Sequence, residues 1–161
     1  MNNDPTAALR PGLEGALPDD EAAAVAARFV AELQEGIDRH DAVIYNRHVA
    51  ADVAWGGPFG AVVRGYGPLH AIHRRLQARG AGGPRSRYEV VHVQAPTRTV
   101  VLAHVARRSL DRDGLPLPVT AAADAPFSEM ALYVLVQRDG DWWLAAGQNT
   151  PIRPGGAAPN A

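Results

Sequence analysis

Two apolar runs near the end of the chain, Phe127-Ser128-Glu129-Met130-Ala131-Leu132-Tyr133-Val134-Leu135-Val136 and Trp142-Trp143-Leu144-Ala145-Ala146-Gly147-Gln148-Asn149-Thr150-Pro151, flank Arg138-Asp139-Gly140-Asp141. Asp-Gly between strand-like runs is the strongest short-range signal for a β-hairpin. With Asp139 and Gly140 as the turn, Gln137 falls opposite Trp142, Leu135 opposite Leu144, Tyr133 opposite Ala146 and Ala131 opposite Gln148. Side chains alternate across a strand, so Glu129, Ala131, Tyr133 and Leu135 are expected to share a face with Trp142, Leu144, Ala146 and Gln148. A carboxylate, a phenol and an amide among apolar neighbours suit the floor of a pocket better than the face of a plain core. Asn149 is expected to face away unless a bulge flips it.

At 161 residues the chain is expected to form one domain with a proper core. It has no cysteine, which excludes disulfides, thiolate metal sites and cysteine nucleophiles. Its 16 basic residues are all arginine, which excludes lysine Schiff bases and lysine general bases. The formal net charge is −1 with no basic run, which argues against nucleic acid. The start, Met1-Asn2-Asn3-Asp4-Pro5, shows neither a basic leader nor an apolar run, and nothing approaches the length of a membrane span. The expectation is a soluble, cytoplasmic protein.

Residues 1–18 are rich in Pro, Gly and Ala and read as a disordered arm; 153–161 read as a disordered tail. The domain between them, 19–152, puts helices first and strands after. Pro18-Asp19-Asp20-Glu21 starts a helix with acidic residues at the positive end of its dipole. Ala22, Val25, Phe29, Leu33 and Ile37 then recur at helical spacing to about His40. Asp41 can cap a second helix over Ala42 to Val49, burying Tyr45. Asp52-Val53-Ala54-Trp55 reads as a short strand, turned by Gly56-Gly57-Pro58-Phe59-Gly60 into Ala61 to Arg64. Gly65-Tyr66-Gly67-Pro68 opens a third helix whose apolar stripe is Leu69, Ile72, His73 and Leu76. Strands over Arg87 to Gln94 and Thr99 to Leu110 precede the hairpin, and the long connection from Asp111 to Pro126 reads as a mobile flap. The sum is an α+β domain with helices on one face of a curved, mostly antiparallel sheet.

This order resembles the NTF2-like superfamily, whose cone encloses a pocket between sheet and helices. The wording of Asp52-Val53-Ala54-Trp55-Gly56-Gly57-Pro58-Phe59-Gly60-Ala61, of Gly65-Tyr66 with Leu69-His70-Ala71-Ile72-His73, and of Trp142 to Pro151 is similar to a SnoaL-like subgroup associated with enediyne antibiotic biosynthesis in actinomycetes. The resemblance spans about Asp20 to Ile152. It implies an NTF2-like cone, a hydrophobic polyketide-type ligand and, by analogy with SnoaL-like cyclases and ketosteroid isomerases, a pocket carboxylate that moves protons on carbon. Other members of the superfamily are dehydratases, binding proteins or dimerisation domains. No Gly-rich dinucleotide fingerprint or redox thiol pair is present, and no cofactor is expected.

Glu129 is the candidate general base, since apolar walls disfavour its charged form. The competing reading has it solvated, or paired with an arginine such as Arg107. His73, on the apolar stripe of the third helix, could shuttle a proton or donate to a substrate carbonyl; a buried histidine satisfied by a backbone carbonyl or by Tyr45 is the plainer alternative. His70 is expected on another, solvated side. His70 and His73 at i, i+3 are not a zinc pair without further ligands, and no metal is expected. His104 and Arg107 lie on opposite faces of one strand, so only one can line the pocket; Arg107 inside would suit a carboxylate or enolate. Trp55, Phe59, Tyr133 and Trp142 can wall a flat ligand or simply fill the core, and Gln148 can orient a substrate oxygen.

Trp143 falls on the other side of the sheet with Leu132, Val134, Val136 and Ala145. A sheet apolar on both faces needs a second cover, and a homodimer through this outer face is expected. Three readings follow. The first is cofactor-free proton transfer (cyclisation, isomerisation or dehydration) on a polyketide intermediate. The second is a non-catalytic carrier of a hydrophobic metabolite. The third is an association domain that dimerises or docks a polyketide synthase.

Overall fold

The computed structural model describes residues 11–13, 15–80, 85–119 and 128–154. Among them the chain forms α1 (Asp19–Asp38), α2 (Ala42–Tyr45), β1 (Val49–Gly56), β2 (Val62–Arg64), α3 (Tyr66–Gly80), β3 (Ser86–Thr97), β4 (Val100–Ser109), β5 (Glu129–Arg138) and β6 (Asp141–Pro151). The six strands make one sheet in the order β2-β1-β6-β5-β4-β3. All neighbours are antiparallel except β1 and β6, which run parallel. The expected α+β architecture is therefore present, with the helices in the N-terminal half. No described helix is long and apolar enough to cross a membrane.

Helix α1 carries Asp19, Asp20 and Glu21 in its first turn and buries Ala22, Val25, Phe29, Val30 and Leu33 against the sheet. It stops where His40 takes a left-handed φ of 52°. The Asp41 amide then bonds to the Gly36 carbonyl at 2.8 Å and the His40 amide to Ile37 at 3.2 Å, the paired bonds of a Schellman stop with histidine in the usual glycine position. Asp41 immediately caps α2, its carboxylate accepting from the amides of Val43 and Ile44 at 2.7 and 3.2 Å. Gly36 allows the tight fold-back: a Cβ there would stand 2.5 Å from the Tyr45 amide nitrogen. That approach delivers Tyr45 to the concave side of the sheet.

Helix α2 is shorter than the expected Ala42 to Val49, because β1 begins already at Val49. The Leu144 amide bonds to the His48 carbonyl at 2.7 Å, so the sheet captures this segment before a second turn can form. Leu17, inside the expected arm, is buried in the core. Residues 1–10 and 14 of the expected arm, 155–161 of the expected tail and 120–126 of the expected flap lie outside the described residues. The described start of that connection is tied down by the Leu110–Pro116 bridge and by Asp111 Oδ1, which accepts from the amides of Asp113 and Leu115 at 2.9 Å each.

The hairpin turns at Asp139 (φ 52°) and Gly140 (φ 88°), both left-handed as a tight hairpin turn of this kind requires. Gln137 pairs with Trp142 and Leu135 with Leu144, as the Asp-Gly turn predicts. The register then shifts by one residue: Val134 pairs with Ala146, leaving Ala145 as an extra residue in β6. Beyond that bulge every side chain of β6 changes face.

Candidate functional site

Arg107 on β4 stands directly opposite Glu129 on β5. Its Nε donates to Glu129 Oε1 at 2.6 Å and its Nη2 reaches the same oxygen at 2.5 Å, while Nη1 donates to Ser86 Oγ at 3.2 Å. Asn149 Nδ2 donates to the other carboxylate oxygen, Oε2, at 2.9 Å. Glu129 is only 8% exposed, and both of its oxygens are occupied as acceptors. A buried ion pair is tolerated when its remaining hydrogen-bonding capacity is also met, and here it is. A proton taken up by Glu129 would have to displace one of these contacts.

The bulge is what brings Asn149 here. It reverses the plain alternation, so Tyr133 faces Gly147 rather than Ala146, and Ala131 faces Asn149 rather than Gln148. Gln148 therefore does not share a face with Glu129; it is exposed on the other side, with its Nε2 bonded to the carbonyls of Gly57 at 3.4 Å and Asn149 at 3.0 Å. Gly147 in turn makes room for the indole of Trp55, since a Cβ there would lie 2.5 Å from Trp55 Cζ3.

Aromatic rings line the cone inward from this cluster. Trp55 stacks on Tyr133 with centroids 6.0 Å apart, and Phe29 meets Tyr133 edge-on at 5.4 Å. Tyr45 and Tyr88, the latter opposite Arg107, join hydroxyl to hydroxyl at 2.7 Å. Gln34 of α1 straps Tyr88's strand, donating to the Ser86 carbonyl at 3.0 Å and accepting from the Tyr88 amide at 2.9 Å. Burial raises the Tyr45 phenol above its ordinary range. Burial, reinforced by the neighbouring phenols, pushes Tyr88 and Tyr133 well above it. All three hydroxyls stay protonated at neutral pH.

His73 is edge-on to both Tyr45 (4.9 Å) and Trp55 (5.7 Å). Its Nδ1 lies 2.6 Å from Asn46 Oδ1, so neither a backbone carbonyl nor Tyr45 serves it. The orientation of Asn46 follows from its other contacts: its Nδ2 donates to the Ala42 carbonyl at 2.7 Å and to His70 Nδ1 at 3.1 Å. A carbonyl can only accept, so Asn46 Oδ1 must face His73, and His73 carries its proton on Nδ1. Burial, helped by nearby His70, drives its pKa down to about 4. At neutral pH its Nε2 is thus an acceptor, not the donor to a substrate carbonyl that the sequence suggests. His70, expected to be solvated, is half-buried between Asn46 and the stacked ring of Tyr66, 5.2 Å away.

The remaining candidates separate. His104 is exposed on the outer face beside His92, ring centroids 6.1 Å apart, which leaves Arg107 as the inward residue of the two. Phe59 is 75% exposed in the β1–β2 turn and does not join the wall. Trp142 is half-buried at the opposite end of the cone, where it lines a groove of about 670 Å³ with Leu17, Val25, Arg28, Arg98 and Gln137. The geometry thus brings Trp55, His73, Arg107, Glu129 and Tyr133 together. It adds Asn46, Tyr88 and Asn149, which sequence reasoning passed over. Period-two alternation from Arg107 across to β3 could have found Tyr88; nothing local marks Asn46. Two buried side-chain oxygens, Asn149 Oδ1 and Gln77 Oε1, have no hydrogen-bond partner among the described residues.

No family model matches the chain, and no curated protein matches it. Solved structures do. A ketosteroid isomerase-like protein from Erwinia carotovora atroseptica is 18% identical over 84% of this chain and 99% of its own, with a TM-score of 0.63. An NTF-2 like protein of unknown function from Shewanella oneidensis MR-1 is 8% identical, covering 80% and 98%, with a TM-score of 0.64. The protein Aln2 from a Streptomyces species is 15% identical, covering 84% and 94%, with a TM-score of 0.61. At such identities the likeness concerns architecture alone, and the architecture is that of an NTF2-like cone.

Proposed function

We propose that this protein is a small-molecule pocket protein of secondary metabolism. It takes a hydrophobic polyketide-type intermediate, of the enediyne kind suggested by the sequence, into the cone and holds it there without a cofactor. The observation that carries the reading is the Arg107–Glu129–Asn149 cluster set into a wall of Trp55, Tyr133, Tyr45 and His73. A buried ion pair is weak evidence for stability, because apolar residues of similar volume often do as well or better. Its presence inside an aromatic enclosure supports a role in recognising a ligand. Holding ranks above proton transfer because both oxygens of Glu129 are engaged and His73 is a weak base with a pKa of about 4.

The test is tryptophan fluorescence during titration with a bicyclic aromatic probe, 2-naphthol. Saturable quenching is expected, with Trp55→Ala weakening binding about tenfold and Glu129→Gln leaving it within about threefold. A signal that never saturates would sink the reading. Proton transfer is the second reading, favoured by a carboxylate held among apolar walls. It requires Glu129→Gln to abolish turnover of an enolisable aromatic ketone while folding survives.

The same proposal includes a homodimer through the outer face of β4, β5 and β6. It is supported by Leu102, Leu132, Val134, Val136 and Trp143, all only half-buried on the side away from the helices. Sedimentation of wild type as a dimer and of Val134→Arg as a folded monomer is the expected pair of results; a monomeric wild type overturns it. A dimer whose cone takes up no ligand would move the weight to an association role, such as docking on a polyketide synthase.

A further inference from the structure

Two buried side-chain oxygens have no hydrogen-bond partner among the described residues, and His73 Nε2 is a third acceptor. Asn149 Oδ1 is buried and unpartnered, and the amide cannot usefully flip, because its Nδ2 already serves Glu129. Gln77 Oε1 is buried and unpartnered on a residue only 7% exposed. His73 Nε2 is an acceptor because Nδ1 holds the proton for Asn46. The three converge by topology. The Gly65 amide bonds to the Val53 carbonyl at 2.8 Å and the His73 ring reaches Trp55, so α3 runs in the same direction as β1. Strand β6 is parallel to β1, with Trp55 paired to Gly147. Gln77, one turn beyond His73, therefore advances towards the same end as Asn149, which lies beyond Gly147 on the same face.

Arg107, the arginine beside these acceptors, is already committed to Glu129. An anionic ligand would meet a neutralised cation and acceptor lone pairs. Leaving a buried acceptor unmatched costs free energy, and a ligand that brings an O–H or N–H relieves that cost on binding. Resting on the pocket reading above, we propose that the cone selects ligands that donate hydrogen bonds, namely phenols and enols of an aromatic or polyene framework, and discriminates against their O-alkyl ethers and against carboxylates.

The test compares three probes of one size on the full chain by fluorescence titration: 2-naphthol, 2-methoxynaphthalene and 2-naphthoate. The expected order is 2-naphthol tightest, by about tenfold or more over the methyl ether, with the naphthoate weakest. Gln77→Leu should shrink the naphthol-to-ether ratio by several-fold while its melting temperature is unchanged or higher, because an unmatched acceptor has been removed. Equal binding of naphthol and ether, or tightest binding of the naphthoate, overturns the donor assignment while leaving the pocket reading intact. An unchanged ratio in folded Gln77→Leu overturns the part given to Gln77. No binding of any of the three overturns both the pocket reading and this one.

Discussion

At the turn end of the hairpin the inner face of β4 and β5 presents Val101 and Leu135, both with no exposed surface. Along the same two strands, roughly 20 Å away at the usual strand rise, it presents Arg107 and Glu129. Between them lie Ala103 with Tyr133 and Val105 with Ala131, a stretch where small residues alternate with a large one. One face, with one alternation, thus passes from an apolar plug to a hydrogen-bonded ion pair. The plug is closed by Leu144, paired with Leu135, and by Val25 near Trp142, and its contribution is area removed from water. The polar end gains little from area and depends on each partner being present. Cores of the first kind tolerate a change of shape better than a change of polarity; clusters of the second kind tolerate neither unless partners change together.

Substitutions at the two ends should separate these regimes. Leu135→Ala, in the plug, should cost the most, about 3–4 kcal/mol in urea unfolding, with little change in naphthol-to-ether preference. A loss below about 1 kcal/mol would mean the plug is not where stability resides. Next is the effect of pH through His73, whose folded pKa of about 4 lies below the ordinary 6.5. The unfolded chain binds the extra proton between these values, so stability is complete above pH 6.5 and falls as pH drops towards 4, by on the order of 3 kcal/mol in total. His73→Leu should lack this component, so wild type must lose stability relative to the variant on acidification; a constant difference would contradict a neutral, buried His73.

Arg107→Met should cost about 2 kcal/mol, less than a fully buried pair would, since the arginine side chain is 23% exposed. Adding Glu129→Leu should recover much of that loss, and a strictly additive double variant would show that the pair is not coupled. Smallest is Asn149→Ala, about 1 kcal/mol, through the lost donor to Glu129 Oε2.

The apolar end was legible in the sequence. Asp139-Gly140 set the turn, and the pairing of Leu135 with Leu144 followed by counting. The helix stripe of Val25, Phe29 and Leu33 is equally direct, because burial of a periodic apolar face depends on residue type alone. The polar end was legible only in part. Glu129 and Arg107 could be named, but their pairing depends on the β4–β5 register across a connection too long to fix it. Asn46 escaped because its role comes from contacts with Ala42, His70 and His73, which join two helices. Gln148 was misplaced because the extra residue at Ala145 carries no Gly or Pro to announce it.

That single unpaired residue gives β6 something like a reading frame. Upstream of Ala145 the strand is read from the turn; downstream it is read one position out of phase, and the whole recognition surface beyond depends on the offset. Pairing Ala145 with Val134 in place of the bulge would alter no wall residue chemically, yet it would present Gln148 to Glu129, turn Asn149 outwards and take Gly147 from beneath Trp55, whereas deleting Ala145 would leave Asn149 opposite Ala131. Which β6 residue reaches Glu129 is therefore set by the bulge and not by the count of residues from the turn.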